Sequence, residues 1–415
     1  NGVHFQTWTS KTWQKLYGTT FGEGFLSDMS NPKYWEKINK VDDADIWDIR
    51  KLQRTRLINY VKNRVRENWI RSYESPSNMV TVLEKLDEKV LTIGFARRFA
   101  TYKRGDLLFR NPERLAAILN NPKMPVQILF AGKAHPNDGA GQDLIKRIVE
   151  FSKRPEFLGK ILFIEDYDIG LAKKLVQGVD IWMNTPTRPL EASGTSGMKA
   201  VMNGALHFSV LDGWWVEGYR EGAGWALPQE RVYENQDFQN ELDTQTIYNM
   251  LENEIVPMFY DCSEDGIPHR WVKCIKKSIA EIVPMFTTKR MIDDYKDRFY
   301  GKLYKRSTEL AENDYAKVFE IVNWKEKAAR AWNFIEVLKI DFHTTEFENP
   351  QDAYGEITLN LNRLSPNDIG IEAIAVSKKQ DGSIVIDETM PFKLKECNGK
   401  IAVFRIEGAP HKTGI

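Results

Sequence analysis

The stretch PLEASGTSGMKAVMNGAL, from Pro189 to Leu206, sets one carboxylate, a run of glycines and hydroxyls, and one lysine in a short length of chain. It follows the apolar run VDIWMNTP, and the pattern from Met198 to Leu206 is helical. Gly194, Thr195, Ser196 and Gly197 therefore fall in a strand-to-helix turn. Free N–H groups at a helix start, with no large side chains over them, can cradle an anion such as phosphate. Lys199 lies about one turn from that cradle and is expected to share a helix face with Asn203. A lysine so placed can pair with the anion or form a Schiff base with an aldehyde cofactor. Taken alone, the motif also reads as a plain tight turn.

A second group is FARRFATYKRGDLL. Arg97 and Arg98 are neighbours in an extended segment, so their side chains diverge, and Lys103 follows in the next loop. Guanidinium forks and a point-charge ammonium at a strand's end suit an oxyanion, although a solvated basic surface has the same composition. LFAGKAHPNDGAGQDL carries Lys133 and His135, the latter either an acid/base group or a turn residue capping the next helix. In FIEDYDIGLAKKL, Tyr167 ends a strand where it can stack on a planar ring or simply fill the rim. His4, His207, His269, His343 and His411 have no partner at metal-ligand spacing, and no metal is expected.

These residues need elements to hold them. VLTIGFAR, VQILFAGKA, KILFIEDY, VDIWMNTP and ALHFSVLDG are continuous apolar runs separated by helix-like stretches. Such runs mark strands covered on both faces, hence a parallel, doubly wound α/β sheet whose ligands sit at the strands' carboxyl ends. Both cationic and glycine-rich motifs should then project from one sheet edge. Before the sheet, residues 1–75 read as a helical lead-in. In it Trp47, Leu52, Leu57, Tyr60, Val61, Val65 and Ile70 form one apolar stripe with Arg and Lys solvated opposite. Residues 76–338 hold the Rossmann-like sheet and a helical extension that Pro257 and Pro284 break or kink. From 339 to 415 the rhythm turns to alternation with turn residues, an all-β appendage beginning near Ile340.

Composition narrows the function classes. Lys plus Arg equals Asp plus Glu, 58 against 58, so there is no global pull toward nucleic acid or anionic membrane. Cys262, Cys274 and Cys397 lack metal or disulfide spacing, and no run is long enough to span a bilayer; a cytoplasmic compartment is expected. The twelve tryptophans fall mostly in helical stripes and read as core rather than as sugar-stacking surfaces.

In combination, EASGTSGMKAVMNGAL, ARRFATYKR, FAGKAHPND, EDYDIGLAKKL and the opening NGVHFQTW resemble the α-glucan (glycogen, starch, maltodextrin) phosphorylase family, from Asn1 to roughly residue 300. The resemblance implies a GT-B glycosyltransferase fold of which this chain is the carboxyl-terminal half. It also implies that Lys199 carries pyridoxal 5′-phosphate. Thr195, Ser196 and Arg97 would hold the cofactor phosphate and Tyr167 would lie against its ring. Arg98 and Lys103 would bind substrate phosphate, while Asn1, Tyr102, Glu191, Ser193 and Gly194 would contact the glucosyl hydroxyls. The reaction implied is phosphorolysis of a terminal α-1,4-linked glucose to glucose 1-phosphate with retention. Its partners are the glucan, inorganic phosphate and an amino-terminal domain of the same protein, without which this piece is expected to be inactive; a homo-oligomer is left open. Ser196 and Gly197 stand where many members have Gly and Asn, and Arg97 where many have lysine, both compatible with phosphate. Two rivals remain at this level: a nucleotide-sugar-dependent GT-B glucosyltransferase, which needs no lysine at position 199, and a non-catalytic α-glucan-binding protein.

Overall fold

The computed structural model describes residues 1–72, 75–228, 233–342, 354–379 and 382–408. His343 and His411 lie outside them. The chain forms two compact units, Asn1–Arg298 and Phe299–Ile415.

The first unit is built on six parallel strands: β1 (Leu91–Phe99), β2 (Val126–Ala134), β3 (Ile161–Ile164), β4 (Ile181–Asn184), β5 (Leu206–Val210) and β6 (Gly224–Leu227). The expected α/β parallel sheet is present, flanked by helices. Most strand residues are buried regardless of parity, because neighbours cover both faces. The spatial order is β3-β2-β1-β4-β5-β6, so the direction of winding reverses between β1 and β4. That reversal opens a crevice beyond the carboxyl ends of two adjacent strands, where doubly wound sheets bind ligands. β1 ends in the arginine pair, and β4 leads into the Glu191–Lys199 loop.

The helix Asp43–Ser72 differs from its expected pattern. Leu57 and Val61 are buried as expected, but Leu52 is 40% exposed. Arg50 and Arg54, expected in solvent, are buried, as is Gln53. The reason is a buried acceptor, Asp180, just before β4. Its Oδ1 takes Arg54 at 2.6 Å and Arg50 at 3.4 Å, and its Oδ2 takes the Thr92 amide at 3.0 Å. Arg50 also donates to the carbonyls of Gln177, at 2.8 Å, and Asn203, at 2.9 Å. These contacts offset the cost of burying the guanidinium groups, although Arg50 Nε has no partner among the described residues. Most tryptophans follow the core reading: Trp13, Trp35, Trp47, Trp182, Trp214, Trp215, Trp225 and Trp271 are buried, whereas Trp324 and Trp332 are exposed.

A second ionic contact ties this helix to the later helix His269–Glu281. His269 Nδ1 lies 2.6 Å from Asp43 Oδ2, and its Nε2 lies 3.0 Å from Asp265 Oδ2. Both partners are acceptors, so the imidazole satisfies both only when protonated. Hydrogen bonds to Asp43 and then to Asp265 hold its pKa above the ordinary value. A raised pKa gives stability that is complete below the unfolded histidine's pKa of about 6.5 and is lost as pH rises through the folded one. Urea midpoints of the wild type should therefore fall as pH rises from about 6 to 8, and His269→Gln should flatten that part of the profile. An unchanged slope would assign the pH dependence elsewhere.

Where proline was expected to break helices, the chain adapts. A π turn over Leu251–Ile255 lies just before Pro257 within one continuous helical run, Gln236–Tyr260, and the widened turn accommodates a residue that has no N–H to donate. Pro284 starts the short helical turn Val283–Phe286.

The second unit contains the helix Gly301–Ala331, kinked at Glu312–Tyr315, followed by β7 (Glu336–Phe342), β8 (Tyr354–Asn360), β9 (Glu372–Lys378), β10 (Ile384–Pro391), β11 (Lys393–Asn398) and β12 (Ile401–Glu407). The first strand begins four residues before Ile340. The antiparallel sheet β11-β12-β8-β7 and the ribbon β10-β9 enclose a small core that includes Leu359, Phe392, Ala402 and Phe404. Alternate burial along β12, with Ala402, Phe404 and Ile406 inward, is the period-two signature of a half-covered sheet.

Candidate active site

The crevice collects charge from both of its rims. Arg97, near the end of β1, donates from Nη2 to Glu191 Oε2 at 2.8 Å, and the Lys103 ammonium donates to the same oxygen. The three side chains are nearly buried, at 8%, 8% and 12% exposure, so their charges are poorly screened. Burial pushes the Arg97 pKa down, while Glu191 opposes that shift by proximity and hydrogen bonding. The cluster has two cations on one carboxylate oxygen, and it leaves donors over. Arg97 Nε and Nη1 are buried with no hydrogen-bond partner among the described residues. Unpaired N–H groups on a buried cation are costly unless an anion or water receives them. The cluster is suited to an oxyanion.

Around it stand other residues singled out from the sequence. Tyr102 puts its ring centroid 4.5 Å from Lys103 Nζ, and its carbonyl accepts the Thr187 amide at 2.7 Å, joining the β1 and β4 loops. Tyr167 is half-buried; burial raises its hydroxyl pKa and the nearby Arg97 charge lowers it. Asn1 Nδ2 donates to Ser193 Oγ at 3.0 Å, bringing the first residue of the chain to the β4 loop. Gly194 takes φ +74° beside Glu191, a left-handed conformation that glycine adopts without penalty.

Two expectations are corrected at the lysine. Its helix is short, Ser196–Val201, and starts earlier than the pattern suggested, so Ser196 and Gly197 belong to the helix rather than to the turn. Ser196 Oγ accepts from Trp182 Nε1 at 3.0 Å. Gly204, at φ +71°, ends the run, and Leu206 opens β5. Asn203 therefore lies beyond the end of the helix, although both it and Lys199 contact Trp8. It is buried, donates to the Lys199 carbonyl at 2.8 Å and the Trp8 carbonyl at 3.0 Å, and accepts the Ser10 amide at 2.8 Å. A helix this short has a weak dipole, so side-chain cations must carry most of any anion binding.

Lys199 has no carboxylate partner among the described residues. Its Nζ lies 3.8 Å from the centroid of the Trp8 ring, and burial lowers its pKa. Beneath the helix, His207 is fully buried, and burial brings its pKa down to about 3, so it packs as a neutral ring between Trp214 and Trp215. A Cβ on Gly197 would lie 2.6 Å from the Trp214 ring and 2.7 Å from that of His207, which is why a residue without a side chain stands there.

Arg98 is not drawn into the cluster. It points to the opposite face of β1, exposed, next to Lys133 in the register of β2, with no hydrogen bond or ion pair among the described residues. His135 behaves as a turn residue, accepting the Asn137 amide at 3.1 Å, while Asp138 rather than His135 caps the helix that follows. Thr195 stands at the start of its helix without a side-chain cap bond. No group of three or more His, Cys, Asp or Glu side chains in metal-binding reach occurs among the described residues, and none of their helices is long and apolar enough to cross a membrane.

The sequence reading missed two site residues. Trp8 was quoted within NGVHFQTW but given no role, although it forms the floor under Lys199. Asp212, which accepts the Glu191 amide on Oδ2 at 2.9 Å, went unremarked although it lies two residues past a core strand, at the edge where ligands sit; that position was the available signal.

The family profile described as carbohydrate phosphorylase matches residues 1–224. A glycogen phosphorylase of Aquifex aeolicus is 47% identical over 305 residues, 74% of this chain and 44% of that protein. A maltodextrin phosphorylase of Thermococcus litoralis is 39% identical over 413 residues, 98% of this chain and 47% of that protein. A glycogen phosphorylase of Mycobacterium tuberculosis is 33% identical over 391 residues, covering 93% and 45%. The match to the Thermococcus protein extends through the β-rich appendage. The chain spans about half the length of the curated relatives it matches.

Proposed function

Since this chain belongs to the carbohydrate phosphorylase family, we propose that it supplies the carboxyl-terminal half of an α-glucan phosphorylase of GT-B architecture. The reaction is reversible, retaining phosphorolysis of terminal α-1,4-linked glucose to glucose 1-phosphate, with pyridoxal 5′-phosphate as cofactor and the amino-terminal half completing the glucosyl pocket. One observation carries this reading: a buried Arg97–Glu191–Lys103 cluster at the reversal of the sheet, with two guanidinium donors left over for an anion.

The residues fit the cofactor. An aldehyde needs an amine that is neutral part of the time, and burial moves Lys199 in that direction. A phosphate needs unpaired donors, which Arg97 has. In this reading Thr195 and Ser196 assist Arg97 in holding the cofactor phosphate, and Tyr167 lines the ring. When bound, the cofactor supplies a phosphate that exchanges a proton with inorganic phosphate. Arg97 and Lys103 offset the repulsion between the two phosphates, which would be severe in a water-poor crevice. Arg98 reaches inorganic phosphate by turning from its exposed position. Glu191, its position fixed by two cations, accepts hydrogen bonds from glucosyl hydroxyls, with Asn1, Tyr102, Ser193 and Gly194 bordering the sugar.

The test is glucose 1-phosphate release from maltodextrin and inorganic phosphate by the full-length protein. Release in proportion to enzyme supports the proposal. Glucosyl transfer from a nucleotide sugar, with no phosphorolysis, would replace it with the synthase-like alternative.

A further inference from the structure

Glu191 is gripped at its carboxylate by two cations, but something must also hold it from behind. If Arg97 and Lys103 alone fixed it, the whole loop would shift whenever those cations turned toward an entering phosphate. The backbone contacts supply the second hold. Asp212, just after β5, accepts the Glu191 amide on Oδ2 and the Gly213 amide on Oδ1, both at 2.9 Å. Two residues on, the Trp214 amide donates to the Ser193 carbonyl at 2.8 Å. Gly213 lies between them at φ +57°, and a Cβ there would sit 2.4 Å from the Ser193 carbonyl oxygen and 3.0 Å from that of Glu191. The β5 loop is thus pressed against the β4 loop with no room for a side chain, and one charge-assisted and one neutral hydrogen bond join them.

We infer that Asp212 is a positioning residue that fixes the Glu191–Ser193 backbone and so the carboxylate that faces Arg97 and Lys103. The inference rests on the function proposed above, because it assigns Asp212 a part in that reaction. Its chemistry is specific. Both carboxylate oxygens receive N–H donors, so asparagine, though the same size, must turn its own NH₂ toward one of them. An isosteric filler would be rescued by that change, whereas a double acceptor is not.

The experiment compares the full-length wild type with Asp212→Asn and Asp212→Ala. Both variants are expected to lose roughly 10²-fold in kcat/KM for maltodextrin phosphorolysis, carried by kcat more than by KM, since small misplacements of reacting groups cost about this much. Hydrogen exchange at the amides of residues 190–194 should accelerate in both while the melting temperature stays near that of the wild type. Should Asp212→Ala fail to fold, the isosteric Asp212→Asn decides alone. Wild-type kinetics and wild-type exchange in Asp212→Asn would overturn the inference. If the wild type itself shows no phosphorolysis, the proposed function fails instead, and the exchange measurement still reports whether Asp212 holds the loop.

Discussion

Replacing Lys199 by alanine in the full-length protein should abolish covalent capture of pyridoxal 5′-phosphate. After borohydride reduction and peptide mapping, the wild type should carry the label on Lys199, and the variant should carry none on that peptide. Phosphorolysis should fall by roughly 10³-fold or more. A tethered group acts at effective molarities of about 10⁵–10⁸ M, and an untethered one must be recruited from dilute solution on each occasion. Lys199→Arg should fail equally, because a guanidinium stays protonated and is no nucleophile. This separates loss of the amine from loss of positive charge beside Trp8. Burial lowers the Lys199 pKa, so adduct formation should also reach its plateau at lower pH than for a free lysine. Fold stability should change little, since a single cation–π contact contributes about 0.5–2 kcal/mol. Full labelling at a different lysine in the wild type would sink the assignment.

The largest stability effect is expected at a residue with no contact to substrate. Asp180→Ala removes the acceptor shared by Arg50, Arg54 and the Thr92 amide. Two guanidinium groups would then remain buried without their counter-charge, a situation that costs about 3–5 kcal/mol. Arg50 already shows the strain of burial, which brings its pKa down to about 10 despite Asp180. Asp180→Asn keeps the shape and one acceptor oxygen but not the charge, so it should fall between the wild type and alanine. Urea unfolding of the three proteins measures the series, and a difference below about 1 kcal/mol for alanine would mean that water satisfies the arginines. The damage should spread toward the site. Arg50 donates to the Asn203 carbonyl, and Asn203 in turn donates to the Lys199 carbonyl. Partial loss of cofactor retention in Asp180→Asn is therefore expected as well.

The two residues show what kind of information each level holds. Lys199 could be singled out from the sequence as a candidate because its neighbours along the chain mark it. The strand, the glycine-rich turn and the lysine are consecutive, so the candidate follows from local order and its proposed role from the motif resemblance. The parallel strands were legible for the same reason: an apolar run such as VLTIGFAR has no polar face to offer solvent, so it must be covered on both sides. The motif resemblance likewise depends on order along the chain, and it led to the family that the comparisons show.

Asp180 and Asp212 carry no such local mark. Asp180 precedes a strand like many acidic residues, and its arginines lie 130 and 126 positions away. Arg50 and Arg54 sit in a helix whose composition suggests a wet surface, and nothing in their spacing reports that a buried carboxylate waits opposite. Glu191 was legible as a site residue, but its two cations, 94 and 88 positions earlier, became its partners only when β4 was laid beside β1. Apolar periodicity determines which face of an element must be buried. It does not determine which elements become neighbours, and ion pairs depend on that choice through distance and exclusion of water. The sequence by itself therefore determined five of the six parallel strands, the family resemblance and the candidate lysine, while β6 (Gly224–Leu227) went unread. The order β3-β2-β1-β4-β5-β6, and with it the counter-charges and the clamp behind Glu191, was decided by tertiary packing alone.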